Sequence, residues 1–246
     1  MPIRLAAYSD LLPASKCLAR AFMNEGLFGK YMHPHRDQYP EDFYLKFLQM
    51  LRDAWAGGPD HQLVVSYTAS NDNGSNTETI TGIAHWTRMR AIPQSSLIGN
   101  VKKSVMSWYS YLESFIYPNR AIDHTRENIL SEIGPFVSHF WTGSRAEVWD
   151  LTLLGVDPAA GGKGHGKALV AWGFEQAKAE GVGCSVMGAE GTEKFYKSCG
   201  FDVIAGGAGV HGGEKNPLIR EKIPGGTTLF WDNGRDVSDV KEYGQK

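Results

Sequence analysis

The segment from Val148 to Met187 constrains the fold more than any other part of this chain. It opens on VWDLTLLGV, a run rich in strand-forming residues that ends just before Pro158, which cannot continue a strand ladder. A glycine-rich loop follows, and apolar residues then recur at helical spacing until Gly181, where a helix would end. Residues 184–187 predict a second strand. A strand, a helix and a strand in this order indicate a βαβ unit, so the segment favours an α/β fold.

The rest of the chain adds strands and helices around this unit. Strands are predicted at residues 3–5, 63–67, 79–86, 201–204 and 227–231, and helices at 10–22, 43–55 and 192–198. Residues 91–142 are rich in aromatics, predict two or three helices and have the character of an insertion. A chain of 246 residues with 42% apolar content can bury one good-sized core. We therefore expect a single domain over residues 1–246, with a mainly helical insertion at about 91–142.

Charge and cysteine usage narrow the choice of partners. The formal net charge is -2 and the pI is near 6.4, which gives no general attraction to nucleic acid or to an anionic membrane. The three cysteines show neither a disulfide framework nor a metal-ligand spacing. The first residues lack a leader pattern, and no apolar run is long enough to cross a bilayer. We expect a cytoplasmic monomer or homodimer that uses no metal and acts on a small molecule.

The loop GGKGHGKA, from Gly161 to Ala168, has the composition of a phosphate-binding nest. Glycines allow positive φ angles, and the amides at the start of a helix point at a bound anion. The same letters satisfy G-x-x-x-x-G-K, but Ala168 stands where a P-loop enzyme needs Ser or Thr to hold magnesium. The alternating glycines do not fit G-x-G-x-x-G. An ordinary glycine turn is a further interpretation, and the loop alone does not decide among them.

Two motifs in a fixed order carry a family resemblance. LGVDPAAGGKGHGKALV (154–170) resembles the acetyl-CoA motif of the GNAT superfamily of N-acetyltransferases, and FYKSCGF (195–201) resembles its FY-x-x-x-GF signature. The resemblance runs from about Val148 to Val203, and LVAWGFEQAKAEGV within it is similar to fungal members of unassigned substrate. It implies the GNAT fold, a central twisted mixed sheet flanked by helices, with acetyl-CoA as the acetyl donor.

The resemblance also implies where the cofactor binds. Free backbone groups of Leu154 and Val156 would pair with the pantetheine arm, and the amides from Gly162 to Lys167 would hold the pyrophosphate. The implied cofactor-binding residues are Leu154, Val156, Gly161, Gly162, Lys163, Gly164, His165, Gly166, Lys167 and Tyr196. The family usually has Gln or Arg at the position of Gly161 and often Asn at that of Ala189. A side-chain contact to the cofactor is therefore expected to be missing at each.

Acetyl transfer needs an amine that has lost its extra proton and a proton for the departing thiolate. Tyr196 resembles the family's acid, because a phenol of pKa about 10 stays protonated near neutral pH and can donate to a thiolate of pKa about 8.5. Asp150 is the candidate base, since histone-acetylating relatives carry glutamate at this position. Strand alternation predicts that Asp150, Thr152, Leu154 and Val156 share one face. Plain packing of Tyr196 and a structural ion pair of Asp150 with a nearby arginine stay open.

The predicted activity is transfer of the acetyl group of acetyl-CoA to a primary amine of a small molecule by direct attack. The alternatives are a catalytically silent acyl-CoA-binding module and a P-loop nucleotide-binding enzyme. An acetyl-cysteine at Cys199 has no visible His-Asp partner. Secondary candidates near the acceptor are His85, His139, Glu147 and Glu190. The insertion's aromatic residues would line an acceptor pocket or, for most of them, pack the insertion: Trp108, Tyr109, Tyr111, Phe115 and Trp141.

Overall fold

A computed structural model describes residues 1–72, 75–92 and 97–245. Its centre is a seven-stranded sheet in the order β1-β2-β3-β4-β5-β7-β6. The strands are β1 (Ile3–Leu5), β2 (His61–Asp72), β3 (Ser75–Met89), β4 (Val148–Val156), β5 (Gly183–Gly188), β6 (Val203–Gly207) and β7 (Thr227–Trp231). Strands β4 and β5 are parallel, whereas the other adjacent pairs are antiparallel. The predicted mixed sheet of an α/β fold is thereby confirmed.

Helices flank the sheet and join its strands. The α-helices of the described residues are α1 (Leu11–Phe22), α2 (Tyr44–Ala56), α3 (Leu97–Ile116), α4 (Ile129–Val137), α5 (His165–Glu180), α6 (Glu193–Cys199) and α7 (Pro217–Arg220). A π-helix, Gly26–Met32, lies between α1 and α2. The predicted βαβ unit is β4–α5–β5, and the helices predicted near the amino terminus are α1 and α2. Among the described helices, none is long and apolar enough to cross a membrane.

The two faces of the sheet are covered by different helices. Helices α1 and α2 bury one apolar cluster that includes Leu18 and Ile83. Helix α5 buries a second cluster around Trp86, whose indole Nε1 donates to the Leu169 carbonyl at 3.2 Å. A Cβ at Gly173 would lie 2.3 Å from that indole, so glycine is what lets α5 approach the sheet closely. The sheet is therefore held between α1–α2 and α5, and β4 contributes to both layers.

Within residues 91–142 the structure has the α-helices α3 and α4 and two short 3-10 helices, in line with the two or three helices predicted there; residues 93–96 lie outside the described residues. The prediction that most aromatics of this segment are packed is wrong for four of the five. Trp108, Tyr109, Tyr111 and Phe115 are all exposed, although the Arg52 guanidinium of α2 lies 4.9 Å from the centre of the Tyr109 ring. Only Trp141 is half-buried, and it reaches the centre of the sheet.

Candidate active site

A gap opens in the middle of the sheet between β4 and β5. The two strands pair only from Val148 opposite Gly183 to Leu151 opposite Val186. Beyond these pairs β4 runs on to Val156 and stays paired with β3, while β5 stays paired with β7. The last five residues of β4 therefore present an edge without a partner strand in the middle of the fold. Backbone N–H and C=O groups on such an edge are available to an extended ligand.

A β-bulge at Thr152 decides which side chains of β4 face which layer. β3 skips Thr152 in its pairing with β4, so Thr152 is an extra residue in the strand. After it, Leu154 and Val156 pack against the same apolar cluster as Leu151, on the α5 side. The prediction that they share a face with Asp150 is wrong, because one inserted residue reverses the alternation. The Asp150 carboxylate and the side chains of Leu154 and Val156 therefore lie on opposite faces of the sheet.

The glycine loop connects β4 to α5 and presents amides at the helix start. Gly162 and Gly164 have φ of 73° and 84°, in the left-handed region that favours glycine. The first bond of α5 runs from the Ala168 N–H to the Gly164 carbonyl at 3.0 Å, so the preceding amides have no carbonyl within the helix. The Gly161 N–H donates instead to Pro158 O at 3.1 Å. The loop has the geometry of an anion nest, with its donors starting after Gly161.

His165 is turned away from the open side of this loop. Its side chain is buried, with Nδ1 3.0 Å from the Thr81 hydroxyl of β3. Burial lowers the pKa of His165, which keeps the imidazole neutral near pH 7. The His165 side chain therefore adds no positive charge to the loop, and its backbone amide is the group that an anion could contact. Lys163 and Lys167 are exposed and remain the cations of the loop.

Tyr196 lies against the free end of β5. A Cβ on Gly188, the last residue of that strand, would meet the Tyr196 ring at 3.2 Å, so glycine leaves room for the phenol beside the gap. The ring is 7% exposed and packs on Phe201. Burial raises the pKa of Tyr196 well above its usual range, with smaller contributions from Cys199 and Asp150. The hydroxyl therefore keeps its proton at neutral pH and cannot act as a base there.

Asp150 faces the other side of the gap and is held by two hydroxyls. Ser185 Oγ, on the opposed residue of β5, donates to Asp150 Oδ1 at 2.7 Å, and Thr152 Oγ1 donates to Oδ2 at 3.0 Å. Trp141 Nε1 in turn donates to Ser185 Oγ at 3.0 Å. Burial raises the pKa of Asp150 to about 6, although both hydroxyl bonds act to lower it. No arginine pairs with this carboxylate among the described residues; Arg145 pairs with Asp232 instead.

The hydrogen bonds continue from Asp150 across β3 to β2. Thr87 Oγ1 lies 2.8 Å from Thr152 Oγ1 and 3.3 Å from His85 Nε2, and His61 Nδ1 lies 3.1 Å from the same His85 nitrogen. Each hydroxyl has one proton, so with Asp150 ionised Thr152 donates to Asp150 and Thr87 donates to Thr152. Burial lowers the pKa of both histidines, that of His85 to about 3. The sequence offered His85 as a secondary candidate but gave no sign of the threonines that connect it.

A cavity of about 410 Å³ lies between residues that follow α1 (24–31), residues just after β5 (189–190) and residues 221–224. Its wall carries acidic and basic side chains, namely Glu25, Glu190, Glu221, Lys30, Arg126 and Lys222. Glu25 caps the π-helix, and Glu221 and Arg126 form ion pairs with Arg220 and Asp123. Within the described part of the chain Glu190 makes no ion pair. It is the carboxylate of this wall that remains available to a cationic ligand.

The remaining secondary candidates have structural partners. Glu147 pairs with Arg88 and accepts from the Ala91 N–H at 2.9 Å. His139 packs on Phe140, away from the gap. Burial raises the pKa of Cys199, so the thiol is not an activated nucleophile. Over the described residues, no group of three His, Cys, Asp or Glu side chains is placed to hold a metal ion.

Comparison with known proteins agrees with this architecture. Residues 131–203, from α4 through the gap, the loop and α6, match the family model described as acetyltransferase (GNAT) domain. No curated protein matches the chain. A structure described as histone acetyltransferase HPA2 and related acetyltransferase, from Corynebacterium glutamicum, is 16% identical with a TM-score of 0.55, covering 96% of this chain and 97% of its own.

Two further solved structures are similar over nearly their whole length. Arylalkylamine N-acetyltransferase 2 from Aedes aegypti is 14% identical with a TM-score of 0.52, over 95% of this chain and 99% of that one. A GNAT family acetyltransferase from Brucella melitensis, in complex with acetyl-CoA, is 14% identical with a TM-score of 0.45, over 98% and 92%. The fold is that of GNAT acetyltransferases, and residues 131–203 match the GNAT acetyltransferase family model.

Proposed function

We propose that this protein transfers the acetyl group of acetyl-CoA to a primary amine of a small molecule, by direct attack of the amine on the thioester. The observation that carries the proposal is the unpaired edge of β4 leading straight into the glycine loop. Such an edge suits the amide groups of a pantetheine arm, and the loop's amides suit the pyrophosphate at its far end. Leu154 and Val156 lie on this edge, and the loop donors run from Gly162 to Lys167.

Tyr196 and Asp150 would serve the two proton transfers of the reaction. Tyr196 would give its proton to the departing thiolate, because burial keeps the phenol protonated at neutral pH. Asp150 would take a proton from the amine, directly or through water, because a carboxylate of pKa about 6 is ionised at pH 7 and still basic enough to accept one. Direct attack needs no enzyme nucleophile.

The acceptor would enter through the cavity at the end of β5. Its volume of about 410 Å³ suits a small molecule. Glu190 would attract the ammonium form of an amine, while Lys30 and Lys222 leave room for an anionic group on the same acceptor. We also propose three coarser properties. The chain is similar to fungal members of the family, it is cytoplasmic, and it forms a single domain with an insertion at about 91–142.

Binding of the donor is tested by thermal unfolding with added ligands. Acetyl-CoA or CoA at a hundredfold excess over its Kd should stabilise the fold by about 2.7 kcal/mol. For a chain of this size that corresponds to a rise in Tm of several degrees, at roughly 2–4 °C per kcal/mol. ATP with magnesium is the control. Stabilisation by ATP and magnesium but not by CoA would overturn the proposal in favour of a P-loop enzyme.

Catalysis is tested separately with a panel of amines and a readout of thiol release from acetyl-CoA. Release that depends on one class of amine would support the transferase and identify its acceptor. If CoA stabilises the fold and no amine gives release above background, the protein is a catalytically silent acyl-CoA-binding module.

The role of the loop is tested by a matched pair of glycine substitutions. Gly162 and Gly181 have φ of 73° and 67°, and a Cβ on either would meet no atom within 4 Å. Alanine should therefore cost about 1 kcal/mol of stability at either position, through backbone strain alone. Only Gly162→Ala should also raise the KM for acetyl-CoA, because Gly162 lies in the nest and Gly181 ends the same helix at its far side. Equal KM values for both variants would contradict the loop's role.

A further inference from the structure

The outer face of α3 carries an apolar stripe with the spacing of a helix that packs against another helix. Val101, Val105, Trp108, Leu112 and Phe115 follow one another at alternating intervals of four and three residues. This is the heptad spacing of paired helices. All five are between 56% and 69% exposed. The stripe therefore has the pattern of an interface, and no part of the described chain covers it.

The opposite face of α3 already packs on α2, which fixes the outward direction of the stripe. Glu113 pairs with Arg52 of α2, and the Lys102 ammonium lies 5.3 Å from the centre of the Trp55 ring. Ser110, on the same side, is half-buried. Glu113 and Ser110 occupy heptad positions away from the stripe, whereas Lys102 flanks it. Helix α3 is therefore anchored by one side and offers the other to a partner.

The charges of α3 indicate what kind of partner fits. Its charged residues are Lys102, Lys103 and Glu113, and none of them belongs to the stripe. A helix that lies on an anionic membrane carries Lys and Arg along its polar face, which is not the pattern here. The stripe and the rings beside it present roughly 600 Å² of apolar surface, close to the about 800 Å² that each partner buries in a standard interface. A second apolar helix of the same length satisfies these features.

The order of side chains along the stripe favours a second copy in antiparallel orientation. An antiparallel pair centred between Val105 and Trp108 sets Val105 against the second copy's Trp108, and Val101 against its Leu112. Each layer then combines a small and a large side chain, as close packing requires. We infer that the protein forms a homodimer through antiparallel pairing of the α3 helices.

The test is the mass of the full chain in solution, by sedimentation velocity over a dilution series. The native protein should be a dimer that dissociates on dilution. Trp108→Glu should raise the dissociation constant by at least about 30-fold, as expected for a central aromatic anchor. Val210→Glu is the matched control, because Val210 is 63% exposed outside α3 and should leave the dimer intact. Mass is the only readout, so the result does not depend on the proposed transferase activity.

Cysteine cross-linking tests the relative orientation of the two α3 helices. It also gives a result that does not depend on whether the Trp108→Glu variant folds. Val101→Cys and Leu112→Cys variants should form a disulfide-linked dimer when mixed, whereas neither should do so alone. The native protein controls for Cys199, since Cys17 and Cys184 are buried. Cross-linking of each variant with itself would overturn the antiparallel arrangement. A native monomer at every concentration, a dimer unaffected by Trp108→Glu, or binding to phosphatidylcholine vesicles in place of self-association would overturn the inference.

Discussion

Replacing Tyr196 with phenylalanine should lower kcat for acetyl transfer by about 100-fold or more, the usual contribution of a general acid. The change removes only the hydroxyl from a ring that is 7% exposed and packed on Phe201, so the fold should persist. Because the proton is needed only as the thiolate leaves, kcat should fall much more than the KM for acetyl-CoA rises. Steady-state kinetics with a thiol-release readout measures both.

A matched control for this variant is Tyr8→Phe, since Tyr8 is 44% exposed and lies on Trp55, away from the gap. Its kinetic constants should match those of the native enzyme. Thermal unfolding of Tyr196→Phe separates a chemical effect from a loss of structure. An unchanged kcat in a folded Tyr196→Phe protein would leave the ring as packing and remove its hydroxyl from the mechanism.

Replacing Asp150 with asparagine should abolish most of the activity and remove the acidic limb from the pH profile of kcat/KM. A base must be ionised to accept a proton, and burial raises the pKa of Asp150 to about 6, so native activity should rise with pH through that value. Asparagine does not titrate. Asp202→Asn, at an exposed carboxylate, is the control and should keep the limb. An intact limb in the Asp150→Asn protein would contradict its role as the base.

The pH at which the acidic limb falls gives a second test, because this pH depends on the hydrogen bonds to Asp150. The Ser185 hydroxyl lowers the pKa of this carboxylate, so Ser185→Ala should shift the limb to higher pH.

The free energy of unfolding depends on the same pKa of Asp150. Since the folded pKa lies above the ordinary value of 3.8, the stability contributed by Asp150 is fully present below pH 3.8 and is lost as the pH rises through about 6. At pH 8, Asp150→Asn should therefore be at least as stable as the native protein.

The features that the sequence predicted well depend on residues close together in the chain. The βαβ unit followed from strand formers, a glycine loop and a helical repeat within one segment, and the structure has these elements as β4, α5 and β5. The left-handed angles of Gly162 and Gly164 were likewise local, because they depend on the absence of a Cβ. Tyr196 was singled out through FYKSCGF, whose short helix places the phenol beside β5.

Predictions that extrapolated along a strand or a helix were less reliable. Strict alternation put Asp150 on the same face as Leu154, but the bulge at Thr152 inserts one residue and moves every later side chain to the other face. His165 was assigned to the phosphate site by its place in the loop. Its side chain points into the fold because the first turn of α5 brings it onto Thr81. Neither outcome has a signal in a single sequence.

The sequence by itself therefore determined the local elements of the proposed donor site, namely a strand, a glycine loop and a phenol on a short helix. Only the tertiary structure decided where β4 separates from β5, since strand pairing depends on residues far apart in the chain. It also brought Ser185 and Thr87 to Asp150 from the two neighbouring strands, which sets the basicity of that carboxylate. Finally, it left the apolar stripe of α3 exposed, because α2 covers another side of that helix and no part of the described chain covers the stripe.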